Sequence, residues 1–525
     1  MIVIHPRTVK QKDGFRPFQK QTLEALKSQS KLILVEAPVG AGKSHIIYQM
    51  LQDNQISKHP IILTYPTKIL IQSQINFLKN KKFNIKHWPD DQQINADLTL
   101  FEYSSDALVR YLKKHPEILS IDKSEIIYQI LKNHGFTARK NVIVTTPDVL
   151  HILKEGWYKG AQRIRSLINQ SIVVFDEFHL YTNLANFVPL VKWLLEFIAK
   201  KVIFFSATPT FNEDLNALLK EYPSEIIEFN DSVGNESDVI FNYPLELYIE
   251  ECKYTKHDIM IECLNTYLPN LPKPVAVIFD SVFRLRHLKP ILQQQFYDKF
   301  KIVEYSGMKK DDIVLDEKII VLGTASIEVG IEMPFKSLIT EVAYWTSAIQ
   351  RIGRVGRLTP GKVAVLTRKR LSPYLKERQE LTRNEFEEVL RQGLKERMGT
   401  MVAGEMFRGN SYAFLVIDKT QKNEVTPYTE SIFSMFDIEE DFVVTNWREL
   451  DEKEKREILQ DEFYLKNEAI SEIILRDKIF PFWGVLAGRL KQEYENVTAR
   501  LTQHELVIEL KNSGKIYYFA REGLT

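Results

Sequence analysis

The sequence predicts an α/β protein: two tandem units, each a parallel sheet with helices on its faces, followed by a mixed α+β region. Three observations carry that prediction. Short β-rich runs alternate with helical patterns from residue 31 to 230, a second alternation starts near Pro272, and the text changes character after about residue 370. Strands that alternate with helices imply parallel strands crossed over by those helices, because a tight turn can close only an antiparallel pair.

The strands of the first alternation are "KLILVEA", "IILTY", "NVIVTT", "SIVVFDE", "KVIFFSAT" and "EIIEF". Those of the second are "PVAVIFD", "KIVEYSG", "KIIVLGT", "SLITEVAY" and "KVAVLT". Between them "NDSVGNESDV", residues 230 to 239, is polar and turn-rich and reads as a linker. The third region opens on a charged helical stretch, "LKERQELTRNEFEEVLRQGLKERM", and ends in the hairpin pattern "ELVIELKNSGKIYYFA". The expected division is 1–230, 231–370 and 371–525.

Composition bounds the function. In 525 residues, 44% hydrophobic and 26% charged is ordinary for a soluble globular chain. Lys and Arg number 70 against 69 Asp and Glu, so no overall positive field advertises a polyanion, and any such partner must be held in a local groove. The two cysteines, Cys252 and Cys263, are too few for a four-thiolate cluster and fit a reducing interior. The N-terminus has no signal-peptide pattern, and the apolar stretch "FVPLVKWLLEFIAK" is short and carries Lys192 and Glu196. A cytoplasmic protein without a membrane partner is expected.

Chemistry concentrates first in "KLILVEAPVGAGKSH", residues 31 to 45. A strand, a small-residue turn and a Lys-Ser pair opening a helix form a phosphate cradle, in which Gly40 and Gly42 let the backbone close on an anion and Lys43 neutralises it. The strict pattern has Gly where this chain has Ala37, which leaves a plain glycine turn as the alternative. The partner that a nucleotide site requires is "SIVVFDEFHLY", with Asp176 and Glu177 just past an apolar strand, where the open end of a parallel sheet presents ligand groups. Asp176 with Ser44 would hold Mg²⁺, and Glu177 would orient and deprotonate the attacking water.

Together these motifs resemble the superfamily 2 helicases. "APVGAGKS" is similar to their phosphate loop, whose first position is often Ala, and "DEFH" to their DExH box, which adds His179 to the catalytic set. The resemblance covers most of the first 360 residues and implies two RecA-like domains that use ATP. "FRPFQ" resembles the adenine-reading motif, which implies Gln19 and Arg16, with Phe15 beside them, at the base; a helix start is the bland reading. "YPTKIL" and "TTPDVL" each follow a strand, and the hydroxyls of Thr67, Thr145 and Thr146 with Lys68 suit sugar-phosphate contact, although ordinary loop chemistry looks much the same. "FFSATPT" resembles the motif linking the nucleotide to the nucleic-acid track, through Ser206 and Thr208, with a capping turn as the alternative. "GTASIEVGIEMP" resembles a motif that touches nucleic acid through Thr324 and Gly330 and the ribose through Glu332, where the family usually has Asp.

"QRIGRVGR" places Arg351, Arg354 and Arg357 three apart, a concentration of guanidinium that points to an anion, and its two glycines make a poor solvated helix. Arg354 and Arg357 would act as arginine fingers, with Gln350 beside the attacking water. "KHDI" offers the pair His257 and Asp258 but no second ligand pair at metal spacing.

A narrower resemblance is to the helicase of type I CRISPR interference, carried by "DEFHLY", the "PTK" motif and the "SATPT" form. The adenine motif starts at residue 15, so the similarity is to the split form, in which the histidine-aspartate nuclease is a separate chain. That implies ATP-driven action on single-stranded DNA with such a nuclease and a target-bound surveillance complex. A DExH helicase of other DNA or RNA metabolism is the alternative.

Overall fold

The computed structural model describes residues 1–10, 15–81, 83–89, 96–115, 123–134, 140–156, 160–182, 187–209, 211, 213–229, 238–252, 257–280, 282–306, 313, 318–324, 327, 333–375, 378–394, 413–416, 443–446, 497–501, 505–510 and 516–520. The chain divides into two compact units, one of residues Thr8–Val239 and one of Met1–Arg7 with Ile240–Thr525.

The Thr8–Val239 unit is built on an eight-stranded sheet in the order Ser224–Glu228, Leu32–Glu36, Ala199–Ser206, Ser171–Asp176, Ile61–Thr64, Asn141–Thr145, Leu98–Tyr103 and Ile85–Trp88. Every neighbouring pair is parallel. Residues 32 to 35 and 61 to 64 are buried at every position, as continuous apolar runs must be when both faces of a sheet are covered. Six of the eight strands are legible in the sequence. The other two, Ile85–Trp88 and Leu98–Tyr103, carry His87 and Glu102, polar residues that mask a strand pattern until their partners are known. Here Glu102 accepts from Ser104 Oγ at 2.9 Å and from Arg110 at 2.5 Å, and His87 lies 3.6 Å away.

The second unit also has an eight-stranded sheet, ordered Lys301–Tyr305, Ile319–Gly323, Val275–Ile278, Ser337–Val342, Gly361–Thr367, Leu245–Glu251, Ile2–Ile4 and Glu380–Leu381. Only the Ile2–Ile4 and Leu245–Glu251 pair is antiparallel. Successive residues of its central strand alternate between two cores: Ala276 and Ile278 pack with helix Trp345–Ile352, and Val275 and Val277 with helices His257–Tyr267 and Val282–Gln295.

Two segments from the ends of the expected divisions stand with the second unit. Strand Ile2–Ile4 pairs in the second sheet, and Leu371, Leu375, Leu381, Phe386, Val389, Leu390 and Leu394 join the core of that unit. Charge hides this contribution in the sequence: helix Arg383–Gly393 exposes Glu385, Glu388 and Arg391 and buries Arg383, Phe386, Val389 and Leu390. Beyond it, strands 413–416, 443–446, 497–501, 505–510 and 516–520 form a five-stranded antiparallel sheet whose last hairpin is the one the sequence predicts. The predicted linker lies outside the described residues from 230 to 237.

Candidate functional site

The glycine loop leaves the carboxyl end of strand Leu32–Glu36, and its geometry answers why Ala37 suffices. Ala37 N–H donates to Ser206 O at 3.0 Å, extending the ladder by one residue, and the Ala37 carbonyl accepts from Lys43 Nζ at 2.8 Å. Both contacts use the backbone, so a methyl group pointing into the core costs the loop nothing. Gly40 and Gly42 have φ of 84° and 90°, and a Cβ on Gly42 would stand 2.9 Å from Gln19 Nε2. Gly42 caps helix Lys43–Gln52, whose first-turn N–H groups and dipole face the loop.

Arg16 and Gln19 are joined to this loop. Gln19 Nε2 donates to Gly42 O at 2.9 Å and Arg16 Nη1 to Gly40 O at 3.2 Å, while Gln19 Oε1 accepts from Arg16 N–H at 2.9 Å. Burial lowers the Arg16 guanidinium from its usual range. Phe15 meets the ring of His45 edge-on, with centroids 6.3 Å apart. His45, next to Ser44 in the sequence, is a residue of this corner that motif reading passes over.

Asp176 ends strand Ser171–Asp176, and Glu177 follows with φ 50° and ψ 44°, a left-handed conformation rare for a residue with a side chain. The turn brings Glu177 N–H to Asp176 Oδ1 at 3.1 Å. Burial, then the adjacent Glu177 carboxylate, push Asp176 up to about 7 against the pull of Lys43. A hydroxyl on Ser44 and a carboxylate in this setting are hard oxygen donors and fit Mg²⁺, which takes one or two carboxylates and completes its shell with phosphate oxygens and water. Tyr65 is a second residue the motifs did not single out. Thr64 pairs with Phe175, which places Tyr65 level with Asp176 on the neighbouring strand, and burial followed by the Asp176 charge push its phenol well above the usual range.

His179 joins this carboxylate pair to the next motif. Its Nδ1 lies 2.9 Å from Ser206 Oγ and 3.5 Å from Glu177 Oε2, and Ser206 Oγ accepts from Thr208 N–H at 2.9 Å. Both Ser206 and Thr208 are fully buried.

The candidate nucleic-acid contacts fare unequally. Thr67 caps helix Lys68–Lys79, its Oγ1 accepting from Leu70 N–H at 3.3 Å, and Thr146 is half-buried at the start of helix Pro147–Glu155. Thr145 is a correction: it is fully buried and its hydroxyl donates to Tyr103 O at 2.8 Å, so it braces the sheet and offers nothing to a ligand. Thr324 is buried, with Oγ1 unpartnered among the described residues. The side chains of Lys68 and His257, and the whole of Gly330 and Glu332, lie outside the described residues. Asp258 is exposed, and among the described residues no three His, Cys, Asp or Glu gather as a metal cluster.

In the second unit the arginine motif spans the end of helix Trp345–Ile352 and the turn after it. Arg354 and Arg357 are half-buried, Gln350 is buried, and Arg357 Nε donates to Gly353 O at 2.9 Å. Gly356, at φ 75°, accepts from Tyr243 N–H at 2.6 Å, and Arg383 Nη2 donates to Tyr243 O at 2.9 Å.

A parallel sheet with a glycine loop capping a helix, and an acid pair two strands away, defines the class of P-loop nucleoside triphosphatases. Residues 16–216 match the family model of the DEAD/DEAH box helicases, and residues 268–360 match that of the C-terminal part of the CRISPR-associated nuclease/helicase Cas3. Residues 16–216 are thus similar to a DEAD/DEAH box helicase domain, and residues 268–360 to the C-terminal part of Cas3. No curated protein sequence matches it. Among solved structures it is similar to the DUF1998 helicase MrfA bound to DNA and AMPPNP, at 15% identity over 78% of this chain and 57% of that one, with a TM-score of 0.47. It is also similar to S. cerevisiae Dbp5 bound to RNA and ADP BeF3, at 16% identity over 72% and 93% of the two chains with a TM-score of 0.43. The E. coli DExH-box NTPase HrpB matches at 16% identity, over 66% and 40%, with a TM-score of 0.40. The chain thus spans little more than half the length of the MrfA structure. Among the described residues no helix is long and apolar enough to cross a membrane.

Proposed function

We propose that this protein is an ATP-dependent helicase or translocase acting on single-stranded DNA in type I CRISPR antiviral interference, in the cytoplasm, with a separate histidine-aspartate nuclease chain and a target-bound surveillance complex as partners. The observation that supports the CRISPR reading is the Cas3-like match over residues 268–360, beside the "DEFHLY" and "SATPT" forms. The match over residues 16–216 is to the general DEAD/DEAH model and supports a helicase of other DNA or RNA metabolism equally.

In the proposed mechanism the loop amides and Lys43 hold the β- and γ-phosphates, exchanging the Ala37 carbonyl for the nucleotide, and Gln19 and Arg16 exchange their loop carbonyls for the adenine edge. Ser44 and Asp176 would hold Mg²⁺, whose positive charge would offset that of the phosphate oxygens. Glu177 takes the proton of the attacking water, and the strained backbone at this residue aims its carboxylate. Arg354 and Arg357 would stabilise the charge that develops on the γ-phosphoryl group, with Gln350 beside the water. Thr67, Lys68, Thr146 and Thr324 would contact the nucleic-acid backbone without reading bases.

The deciding experiment measures ATP turnover with matched single-stranded DNA and RNA. Stimulation by DNA with steep loss at rising salt is expected, since counterion release governs backbone contacts. Stimulation by RNA alone would move the protein to the other reading, and no turnover with either would remove both. Cleavage of DNA is expected only after the nuclease chain and the surveillance complex are added.

A further inference from the structure

Arg351 is the one arginine of "QRIGRVGR" that the proposed mechanism leaves without work, and it is fully buried. Its Nη1 donates to Asp280 Oδ1 at 2.7 Å and to the Glu341 carbonyl at 2.6 Å, with Thr340 Oγ1 at 3.5 Å. Asp280 follows strand Val275–Ile278, and Glu341 belongs to strand Ser337–Val342, so this guanidinium ties the helix to the carboxyl ends of two adjacent strands. The Glu341 carboxylate, also fully buried, accepts from Arg284 Nη1 at 2.6 Å and from Asp280 N–H at 2.8 Å. Two acids and two arginines thereby form one network against the inner side of helix Trp345–Ile352, with Asp280 at its partly exposed edge.

Burying Arg284, Glu341 and Arg351 beside a partly exposed Asp280 is a costly way to pack a helix that apolar contacts could hold, and its known advantage is a fixed geometry. That geometry is passed on directly. Arg354 N–H donates to Arg351 O at 3.0 Å and Val355 N–H to Ile352 O at 3.1 Å, so the turn carrying Arg354 and Arg357 hangs from the backbone of the anchored residue. At its far end the turn is held by Tyr243 N–H on Gly356 O.

We propose that Arg351 is a positioning residue, held by Asp280 and Glu341, that sets the place of the Gly353–Arg357 turn and through it the aim of Arg354 and Arg357. The catalytic consequence rests on the function proposed above; the ordering of the turn does not.

Asp280→Asn and Arg351→Lys in the full-length protein test this: the first keeps size and polarity but removes the anion, and the second keeps the charge but loses the guanidinium that reaches Asp280 and the Glu341 carbonyl together. Hydrogen exchange of the peptide covering residues 353–358 should quicken at least 10-fold in both variants, with the rest of the second unit unchanged. Nucleic-acid-stimulated kcat should fall by roughly 10- to 100-fold, the range expected when a reacting group is misplaced by about 1 Å, with KM for ATP within about 2-fold. The double variant should lose no more than the worse single one, as members of one unit do. Unchanged exchange at 353–358 overturns the proposal, as does a lowered melting temperature with kcat per folded molecule intact, which marks plain bracing. A 10-fold loss of ATP-analogue affinity would instead make Arg351 a direct nucleotide contact. A wild-type protein that hydrolyses no ATP refutes the functional reading alone, since the exchange result still decides the positioning role.

Discussion

His179 Nδ1 stands 2.9 Å from Ser206 Oγ and 3.5 Å from Glu177 Oε2, so one imidazole lies between the acid pair at the end of strand Ser171–Asp176 and the last residue of the strand beside it. A change at either loop is felt at the other through a buried hydrogen bond. Ser206→Ala should therefore leave nucleotide affinity within about 2-fold and lower nucleic-acid-stimulated turnover by roughly 10- to 100-fold, the equivalent of losing a bond to a buried polar group. Titrating the variant with DNA while measuring phosphate release checks this; full stimulation would disconnect the two loops.

Lys43 and Arg357 should fail in different ways. Lys43→Ala removes the cation that the loop holds on the Ala37 carbonyl, and it should weaken nucleotide binding and turnover together. Arg357→Ala should spare binding and lower turnover by roughly 10³-fold, as the removal of an arginine finger does. Equilibrium binding of a fluorescent ATP analogue beside steady-state kinetics separates the two.

Glu177 offers a test of strain through its sign. Glycine ordinarily destabilises a structured position by about 0.5–1 kcal/mol, but at φ 50° a side chain costs about 1–2 kcal/mol that glycine does not. Glu177→Gly should therefore be more stable than Glu177→Gln by about 1 kcal/mol in chemical denaturation, while neither turns over ATP. A glycine variant less stable than the glutamine one would contradict the strain.

Where the second unit ends can be found by truncation. Cutting after residue 370 removes Leu371, Leu375, Leu381, Phe386, Val389, Leu390 and Leu394 from the core, at about 2–5 kcal/mol for each large side chain, more in total than a domain's whole stability. Cutting after residue 394 keeps them. The first product should be insoluble or unfolded by circular dichroism and the second should melt cooperatively; equal behaviour would show that these residues are dispensable.

Glu102 predicts a pH dependence. Burial pushes its carboxyl up, yet hydrogen bonds from His87, Arg110 and Ser104 and the Arg110 charge outweigh that and hold it at about 2. A depressed carboxyl adds stability that is fully present above its unfolded value and is lost as pH falls from about 4.5 toward 2. Glu102→Gln should thus be less stable than wild type at pH 7, by on the order of 1–2 kcal/mol after screening of the partly exposed Arg110. The gap should shrink as pH falls below about 4.5 and close only near pH 2, and a gap independent of pH would place the effect in packing instead.

The sequence by itself determined what local chemistry encodes. The Gly40 and Gly42 turn, the acid pair after an apolar strand, and the alternation that makes two parallel sheets each depend on residues close together in the chain, and each stands where it was expected. Only the tertiary structure could decide what depends on distant partners. A threonine at a strand end reads the same whether its hydroxyl faces solvent or, like Thr145, donates to Tyr103 O 42 positions away in the chain. A charged run reads as surface until Arg383 is found under Tyr243 and Phe386 in the core. Three arginines at equal spacing look alike, yet helix Trp345–Ile352 buries Arg351 on Asp280 while the turn after it leaves Arg354 and Arg357 half-buried, because the helix ends between them.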